Sequence, residues 1–126
     1  MKTILVDAVN TFVVDGKINT EMKAMLDTFS NRKIIVTNAN PEEQVTYGLV
    51  DMPYQMFTLS HQPNKTDPEY FTTLLEKYAL TPQTVIYFEH NPAAVMSATL
   101  VWITAFQYDY VWKNVAAVKE FIEKNI

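Results

Sequence analysis

The sequence contains no cysteine among its 126 residues, and it contains only two glycines. The absence of cysteine excludes disulfide bonds and any site that depends on a thiolate, although it does not fix the cellular compartment. With so few glycines, a glycine-rich phosphate loop and a dinucleotide-binding fingerprint are excluded as well. A nucleotide-binding domain of either kind is therefore not expected.

Positive charge is scarce, and long apolar runs are missing. Lys and Arg total 10 residues against 14 Asp and Glu, which gives a net charge of −4, and Arg32 is the only arginine. Such a surface is not suited to nucleic acid or to an acidic membrane. No apolar run could span a bilayer, and the run after Met1 is too short for a signal peptide. We therefore expect a cytoplasmic protein that binds neither nucleic acid nor membrane.

Short apolar segments of strand length recur along the chain, and helical patterns alternate with them. The predicted strands cover residues 3–6, 33–37, 54–59, 85–88 and 101–105. They are continuously apolar, as strands of a parallel sheet covered on both faces usually are. The pattern predicts a three-layer, Rossmann-like α/β fold with a five-stranded parallel sheet. The length of the chain indicates a single domain over residues 1–126.

The connections between these strands contain turn and helix signals. Asp15-Gly16 stands between β-forming residues and favours a hairpin over residues 12–18. Four helix starts carry capping residues: Asn19 or Thr20, Asn40-Pro41, a predicted capping box from Thr66 to Glu69, and Asn91-Pro92. The last helix is expected over residues 111–126. The aromatic residues expected in the core near its start are Tyr108, Tyr110 and Trp112.

Polar side chains stand where the predicted parallel strands end, at the edge where sheets of this kind keep their sites. In chain order they are Asp7, Thr37 with Asn38, Lys65, and Glu89 with His90. An acid, a hydroxyl, a lysine and a second acid can together hold an ion or a phosphate group. We therefore expect Asp7, Thr37, Lys65 and Glu89 to share one shallow cleft. His61, in a polar connection, is expected to be merely exposed.

Four short motifs in a fixed order carry a resemblance to a known family. They are Asp7-Ala8-Val9-Asn10-Thr11, Ile34-Ile35-Val36-Thr37-Asn38, Lys65 ahead of the helix start at Pro68, and Val85-Ile86-Tyr87-Phe88-Glu89-His90-Asn91-Pro92. Together they resemble the motifs of the haloacid dehalogenase-like (HAD) superfamily, whose commonest members are Mg²⁺-dependent phosphatases. The hairpin after the first motif looks like the flap of that family. The resemblance covers nearly the whole chain and implies the strand order 5-4-1-2-3, with Asp7 on the central strand.

The resemblance also implies a role for each matching residue. Asp7 would be the nucleophile that forms an aspartyl-phosphate, and Thr37 and Lys65 would be catalytic partners that bind phosphoryl oxygens. A weakly bound Mg²⁺ is expected on Asp7, on the backbone carbonyl of Val9 and on Glu89. The residues expected to contact the substrate, a small phosphorylated molecule, are Asn38, Thr11 and His90.

The sequence departs from the family pattern at two functional positions. Val9 stands where the family has a second Asp that protonates the leaving group and activates water, a role worth ~10²–10⁴-fold in typical enzymes. Glu89 is a single acid where the family usually has two, and His90 takes the second place. The connections 11–33 and 38–65 leave no room for a cap domain, so substrate control must come from loops or from an unknown protein partner.

Two hypotheses follow from these matches and departures. The first is a capless, weak or specialised HAD-like phosphatase that acts through an aspartyl-phosphate. The second is a catalytically impaired relative that serves as a binding or regulatory module, which Val9 favours. Haloacid dehalogenases also lack the second Asp, but they need a cap domain. A bacterial receiver domain is a weaker reading, because it requires paired acids after the first strand and an acceptor Asp after the third.

Overall fold

A computed structural model describes all residues from 1 to 126. The main sheet contains five strands, β1 (Thr3–Asp7), β4 (Lys33–Thr37), β5 (Gln55–Thr58), β6 (Val85–Glu89) and β7 (Thr104–Gln107). A separate hairpin is formed by β2 (Val13–Val14) and β3 (Lys17–Ile18). The helices are α1 (Thr20–Leu26), α2 (Pro41–Thr46), α3 (Pro68–Lys77), α4 (Pro92–Thr99) and α5 (Val115–Asn125), with a short 3₁₀ helix at Pro82–Thr84. None of these helices is long and apolar enough to cross a membrane.

The main sheet is parallel throughout and has the strand order β5-β4-β1-β6-β7. The hairpin takes the labels β2 and β3, whereas the predicted order 5-4-1-2-3 counted only the five main strands. With that difference in numbering removed, the observed arrangement is the predicted one. The strand β1 is central and ends at Asp7, as predicted. Every residue of β1 and of β6 is buried, as the continuous apolar pattern of the inner strands indicated.

Two hydrophobic cores lie on opposite faces of the sheet and make the fold three-layered. Alternate residues of β1 point to opposite faces, because side chains along a strand alternate. Ile4 and Val6 pack with residues of α1 and α5, such as Met22 and Val118. Leu5 packs instead with residues of α3 and α4. The helices on both faces thus leave only the two ends of the central strands open to a site.

Side-chain capping fixes where each helix begins. The five N-cap residues are Asn19, Asn40, Asp67, Asn91 and Asn114, and the side-chain oxygen of each accepts a backbone N–H of the first turn. A complete capping box occurs at Asn40 and Glu43. The predicted box from Thr66 to Glu69 is wrong, because Asp67 caps alone by accepting the N–H of Glu69.

Two sequence-based boundaries and one burial prediction near the chain's end need correction. The strand predicted at 101–105 is β7 at Thr104–Gln107, because Val101 and Trp102 form the turn that closes α4. The helix predicted from residue 111 starts at Val115, where the Asn114 cap lies. In the preceding loop, Tyr108 is buried as expected. Tyr110 and Trp112 are 45% and 81% exposed, so their placement in the core was wrong.

The hairpin turn rests on the end of α2 through two glycines. Asp15 and Gly16 both have positive φ, as the predicted primed turn requires. Gly48, just after α2, also has positive φ, and a Cβ built on it would lie 2.4 Å from the carbonyl oxygen of Gly16. A Cβ on Gly16 would meet nothing within 4 Å. Only Gly48 therefore combines a left-handed backbone with close contact between two main chains.

This difference predicts unequal effects of two alanine substitutions. Gly16→Ala should cost roughly 1–2 kcal/mol in the free energy of unfolding, because an L-residue is strained at positive φ. Gly48→Ala adds a backbone clash to the same strain, and overpacking of this kind costs ~1–3 kcal/mol more. Urea unfolding of the two variants beside the unaltered protein measures both costs. Equal losses would show that the hairpin moves away from α2 at little cost.

Candidate active site

A small polar cleft of about 230 Å³ opens at the carboxyl edge of the sheet. It is lined by Asp7, Val9, Thr37, Asn38, Ala39, Glu43, Tyr47, His61, Lys65, Glu89, His90 and Asn91. The volume is below the ~300–1,000 Å³ of sites for drug-sized ligands, so the cleft suits a small group. The four residues expected to share a cleft, Asp7, Thr37, Lys65 and Glu89, all line it.

The topology explains why residues distant in sequence meet here. Asp7, Thr37 and Glu89 are the last residues of β1, β4 and β6, and β1 pairs with both of the other strands. Because all three strands are parallel, their carboxyl ends lie side by side. Lys65 reaches the same edge from the loop that precedes α3, where its backbone N–H donates to the side-chain oxygen of Asn38 at 2.7 Å. Asn38 thus positions Lys65 as well as lining the cleft.

Lys65 joins the two acids of the site. Its Nζ lies 2.7 Å from Oδ1 of Asp7 and 2.8 Å from Oε1 of Glu89, and the whole residue is only 7% exposed. Burial alone would lower the pKa of Lys65, but the charges of Asp7 and Glu89 outweigh it and raise the pKa. Lys65 is therefore a fixed positive charge between two carboxylates.

The second oxygen of Asp7 faces a hydroxyl and an imidazole. Oδ2 accepts the Thr11 hydroxyl at 2.6 Å and lies 2.5 Å from Nδ1 of His90. Burial would raise the pKa of Asp7, yet the Lys65 charge and the hydrogen bond from His90 lower it well below its usual range. Thr11 is fully buried, contacts Asp7 and does not line the cleft, and its expected contact with a substrate stays a prediction.

His90 is held between the same two acids. Its Nδ1 lies 3.2 Å from Oε2 of Glu89, and the edge of its ring packs against Tyr110 with ring centroids 5.0 Å apart. Burial would lower the pKa of His90, but the hydrogen bonds to Asp7 and Glu89 outweigh it and raise the pKa to about 9. Nε2 of His90 has no hydrogen-bond partner within the protein. At neutral pH the ring is an imidazolium with one N–H still available.

Glu89 is fully buried and accepts hydrogen bonds at both oxygens. Oε1 accepts from Lys65 and from the hydroxyl of Tyr87, and Oε2 accepts the backbone N–H of Asn91 at 3.0 Å. Burial and the nearby charge of Asp7 raise the pKa of Glu89, while Lys65 opposes that shift. The pKa values of the two acids thus move in opposite directions, because that of Asp7 is lowered and that of Glu89 is raised. Two neighbouring acids therefore have different electrostatic surroundings.

Tyr70 fixes the backbone beside Thr37. Its buried hydroxyl accepts the N–H of Thr37 at 3.1 Å and donates toward the carbonyls of Thr37 at 2.9 Å and Phe57 at 3.1 Å. One side chain of α3 thereby joins the carboxyl ends of β4 and β5. The Thr37 hydroxyl accepts the N–H of Ala39 at 3.1 Å and lines the cleft.

Sequence reasoning missed Tyr70, Tyr87 and the role of His61. The tyrosines lie in apolar stretches where a hydroxyl gives no separate signal. His61 is exposed as expected, yet it also lines the cleft, with Nε2 2.7 Å from Oε1 of Glu43. This contact joins the loop before α3 to the first turn of α2 across the mouth of the cleft. Nothing in the spacing of residues 43 and 61 indicates it.

Asp7, Glu89 and His90 could hold a metal ion, because they bring one ligand atom each within 4.8 Å of one another. Mg²⁺, however, requires oxygen ligands, and imidazole suits transition metals better. Each carboxylate oxygen of Asp7 and Glu89 already accepts from a protein donor. Lys65 and His90 also balance the charges of both acids. As placed, these side chains do not fit Mg²⁺, because the ion would have to displace one of the two cations.

Several solved structures are similar to this chain in fold. A HAD family enzyme of Bacteroides thetaiotaomicron, solved as an aspartate-to-alanine mutant with magnesium and inorganic phosphate, matches with a TM-score of 0.68 and 12% identity over 87% of this chain and 95% of that one. The core domain of a provisionally assigned phosphoglycolate phosphatase from Streptococcus pneumoniae matches at 0.66 and 17%, over 97% and 95%. The chain has the haloacid dehalogenase-like fold.

Other comparisons limit this result to the HAD-like fold. A HAD-superfamily hydrolase of Geobacter sulfurreducens matches at a TM-score of 0.59 and 18% identity, over 73% of this chain and 47% of that one. The chain therefore spans about half the length of that hydrolase. No family model matches the sequence, and no curated protein matches it.

The Tyr70 contacts predict a measurable loss of stability. Tyr70→Phe keeps the ring but leaves the buried N–H of Thr37 without an acceptor, which costs about 1–3 kcal/mol in the free energy of unfolding. Tyr78→Phe is the matched control, because the Tyr78 hydroxyl has no hydrogen bond and its ring packs on Phe57 as well. Denaturant unfolding compares the two. A loss as small as that of Tyr78→Phe would show that water replaces the hydroxyl of Tyr70.

Proposed function

We propose that the cleft binds the phosphoryl group of a small phosphate ester and that Asp7 attacks its phosphorus, which makes the protein a HAD-like hydrolase. The observation that carries the proposal is the setting of Asp7. It is a buried carboxylate at the floor of a small cleft, with Lys65 on one oxygen and Thr11 and His90 on the other. An ionised carboxylate that is largely buried is a competent nucleophile toward phosphorus.

The surrounding cations suit the charge that such a reaction must hold. A phosphoryl group brings negative charge beside Asp7, and repulsion between them would otherwise keep the two apart. Lys65 and His90 offset that repulsion, and Nε2 of His90 has an N–H free to donate to a phosphoryl oxygen. Thr37 and Asn38 add further polar groups to the lining of the cleft. Positioning and electrostatics of this kind provide most of the catalysis in phosphoryl transfer.

The proposed reaction has two steps. An oxygen of Asp7 forms a bond to phosphorus while the bond from phosphorus to the ester oxygen breaks, and the leaving group departs as an anion. Water then attacks the phosphorus of the aspartyl-phosphate, which releases inorganic phosphate and restores Asp7. The proton lost by that water balances the proton gained by the leaving oxygen.

Val9 limits both steps. Its side chain lines the cleft, at the position where an acid could protonate the leaving group and later activate water. An isopropyl group does neither. The proposed activity is therefore weak or restricted to esters with a good leaving group. The weakly bound Mg²⁺ that the motifs suggest would first have to displace His90 or Lys65.

A non-catalytic binding or regulatory module is the second candidate, and Val9 is the observation that favours it. Such a module would use the same cleft to bind a phosphorylated small molecule or a protein partner without turning it over. Hydrolysis breaks the ester bond and binding alone does not, so release of the product distinguishes the two candidates.

We expect Asp7→Asn to abolish release of p-nitrophenol from p-nitrophenyl phosphate, because the amide is not a nucleophile. The matched control is Asp51→Asn, an exposed position with positive φ that asparagine tolerates well. Circular dichroism checks that both variants are folded. Equal turnover by Asp7→Asn and the unaltered protein would assign any hydrolysis to another group or to a contaminant.

Restoring the acid should raise turnover of alkyl phosphates, whose leaving groups need a proton. We expect Val9→Asp to gain on the order of 10²-fold, the lower part of the range for general acid–base catalysis. Val9→Asn has nearly the same shape without the acid and should gain nothing. Phosphate release is the measurement. Rapid alkyl phosphate hydrolysis by the unaltered protein would contradict the role given to position 9. His90 would then be the first residue to examine as the acid–base group. No gain in Val9→Asp would favour the non-catalytic module.

A further inference from the structure

We infer that the cleft binds its phosphoryl group without a divalent metal ion, because the ring of His90 occupies the place between the two acids that such an ion would take. The inference rests on the proposed function for the location of the phosphoryl group. It goes beyond that function in assigning a metal-independent mode of binding to the cleft and in naming the residue responsible.

The position of His90 is the first reason. The acids that would hold a divalent ion here, by the motif matches, are Asp7 and Glu89, at the ends of β1 and β6. Nδ1 of His90 already bridges them, at 2.5 Å from Oδ2 of Asp7 and 3.2 Å from Oε2 of Glu89. An ion bound between these oxygens would collide with the ring unless the ring turned away.

Charge balance is the second reason. Two buried carboxylates attract a dication only while their charge is not otherwise neutralised. Lys65 contacts one oxygen of each acid, and His90 contacts the other oxygen of each. The four groups form a closed set of alternating charge in which every carboxylate has two cationic neighbours. A dication added to this set would lack a compensating anion until the phosphoryl group arrived.

The ring is also held where it is. The backbone N–H of His90 lies 3.3 Å from Oδ2 of Asp7, so the main chain and the side chain approach the same oxygen. Asn91, the next residue, caps α4, which fixes the chain on the other side. Tyr110 packs its ring against the imidazole from the loop after β7. These contacts hold the imidazole between the two acids before any ligand arrives.

The ligand class that fits is a tetrahedral oxyanion with two or more charges, as on a phosphate monoester. Its oxygens need displace no protein group at Nε2 of His90, which has no hydrogen-bond partner within the protein. Inorganic phosphate is therefore the simplest probe of the site.

Calorimetric titration of the whole chain tests this directly. Inorganic phosphate is titrated in EDTA and again in MgCl₂, and MgCl₂ is titrated alone. We expect equal phosphate affinity in both buffers and no heat from Mg²⁺ alone. His90→Gln should weaken phosphate binding by about tenfold or more, as the loss of one charged hydrogen bond does.

The substitution His90→Asp tests the opposite case, in which the cleft should bind a metal ion. It replaces the cation with a third carboxylate, so it should bind Mg²⁺, and its phosphate binding should become dependent on Mg²⁺. Asn114→Asp adds a carboxylate outside the cleft at a helix N-cap that accepts either residue, and it should behave as the unaltered protein does. Urea unfolding of each variant shows whether it is folded under the titration conditions.

The outcomes separate the inference from the proposed function. Phosphate binding by the unaltered protein that requires Mg²⁺ overturns the inference and leaves the proposed function standing. Mg²⁺ binding as tight in the unaltered protein as in His90→Asp overturns it too. Absence of phosphate binding in both buffers overturns both proposals. Hydrolysis that survives in EDTA and is lost in Asp7→Asn supports both.

Discussion

A buried lysine between two buried acids is the contact on which the rest of the site depends. Removing an ammonium group and two carboxylates from water costs several kcal/mol for each ion, and only close pairing offsets that cost. Lys65 satisfies both acids at once, with 2.7 Å to Asp7 and 2.8 Å to Glu89. If Lys65 were absent, the ends of β1 and β6 would carry adjacent like charges in a dry environment. The loop before α3 is thus as necessary to the sheet edge as the strands themselves.

The two acids then serve different purposes, although both are deeply buried. Glu89 accepts hydrogen bonds from the Tyr87 hydroxyl, the Asn91 N–H and Lys65. Both of its oxygens therefore hold neighbouring groups in place. Asp7 lies on the central strand and lines the cleft, where cations on each side keep it ionised. Under the proposed function, one carboxylate of the pair is a counter-ion and the other is the reactive group, because their surroundings differ.

Much of this arrangement could be predicted from the sequence, because it follows from strand pattern and topology. Continuous apolar runs ending in Asp7, Thr37 and Glu89 predict a parallel sheet that brings those three ends together. The pattern failed at residues 101–105, where apolar residues at the end of α4 resemble a strand until the helix and its turn are placed. It failed again at Tyr110 and Trp112, whose aromatic character alone suggested burial.

The remaining site features depend on side-chain geometry that spacing does not encode. A tyrosine in an apolar run is predicted to be a core residue whether or not its hydroxyl has a hydrogen-bond partner. The hydrogen bonds made by the Tyr70 hydroxyl could therefore not be predicted. The pairing of His61 with Glu43 joins residues from two connections whose relative placement only the folded chain defines. The fully buried position of Thr11 has the same origin, since a motif fixes the residue type and not its exposure.

The contact between Gly16 and Gly48 has a mechanical consequence for the cleft. The hairpin turn and the end of α2 touch through bare main chain, with no side chain between them to bend or rotate. The helix α2 carries Glu43, Tyr47 follows it, and both residues line the cleft. Glu43 also contacts His61, so these contacts connect the hairpin, α2 and the loop before α3 in series. A displacement of the hairpin turn towards α2 would therefore reach the lining of the cleft through that helix.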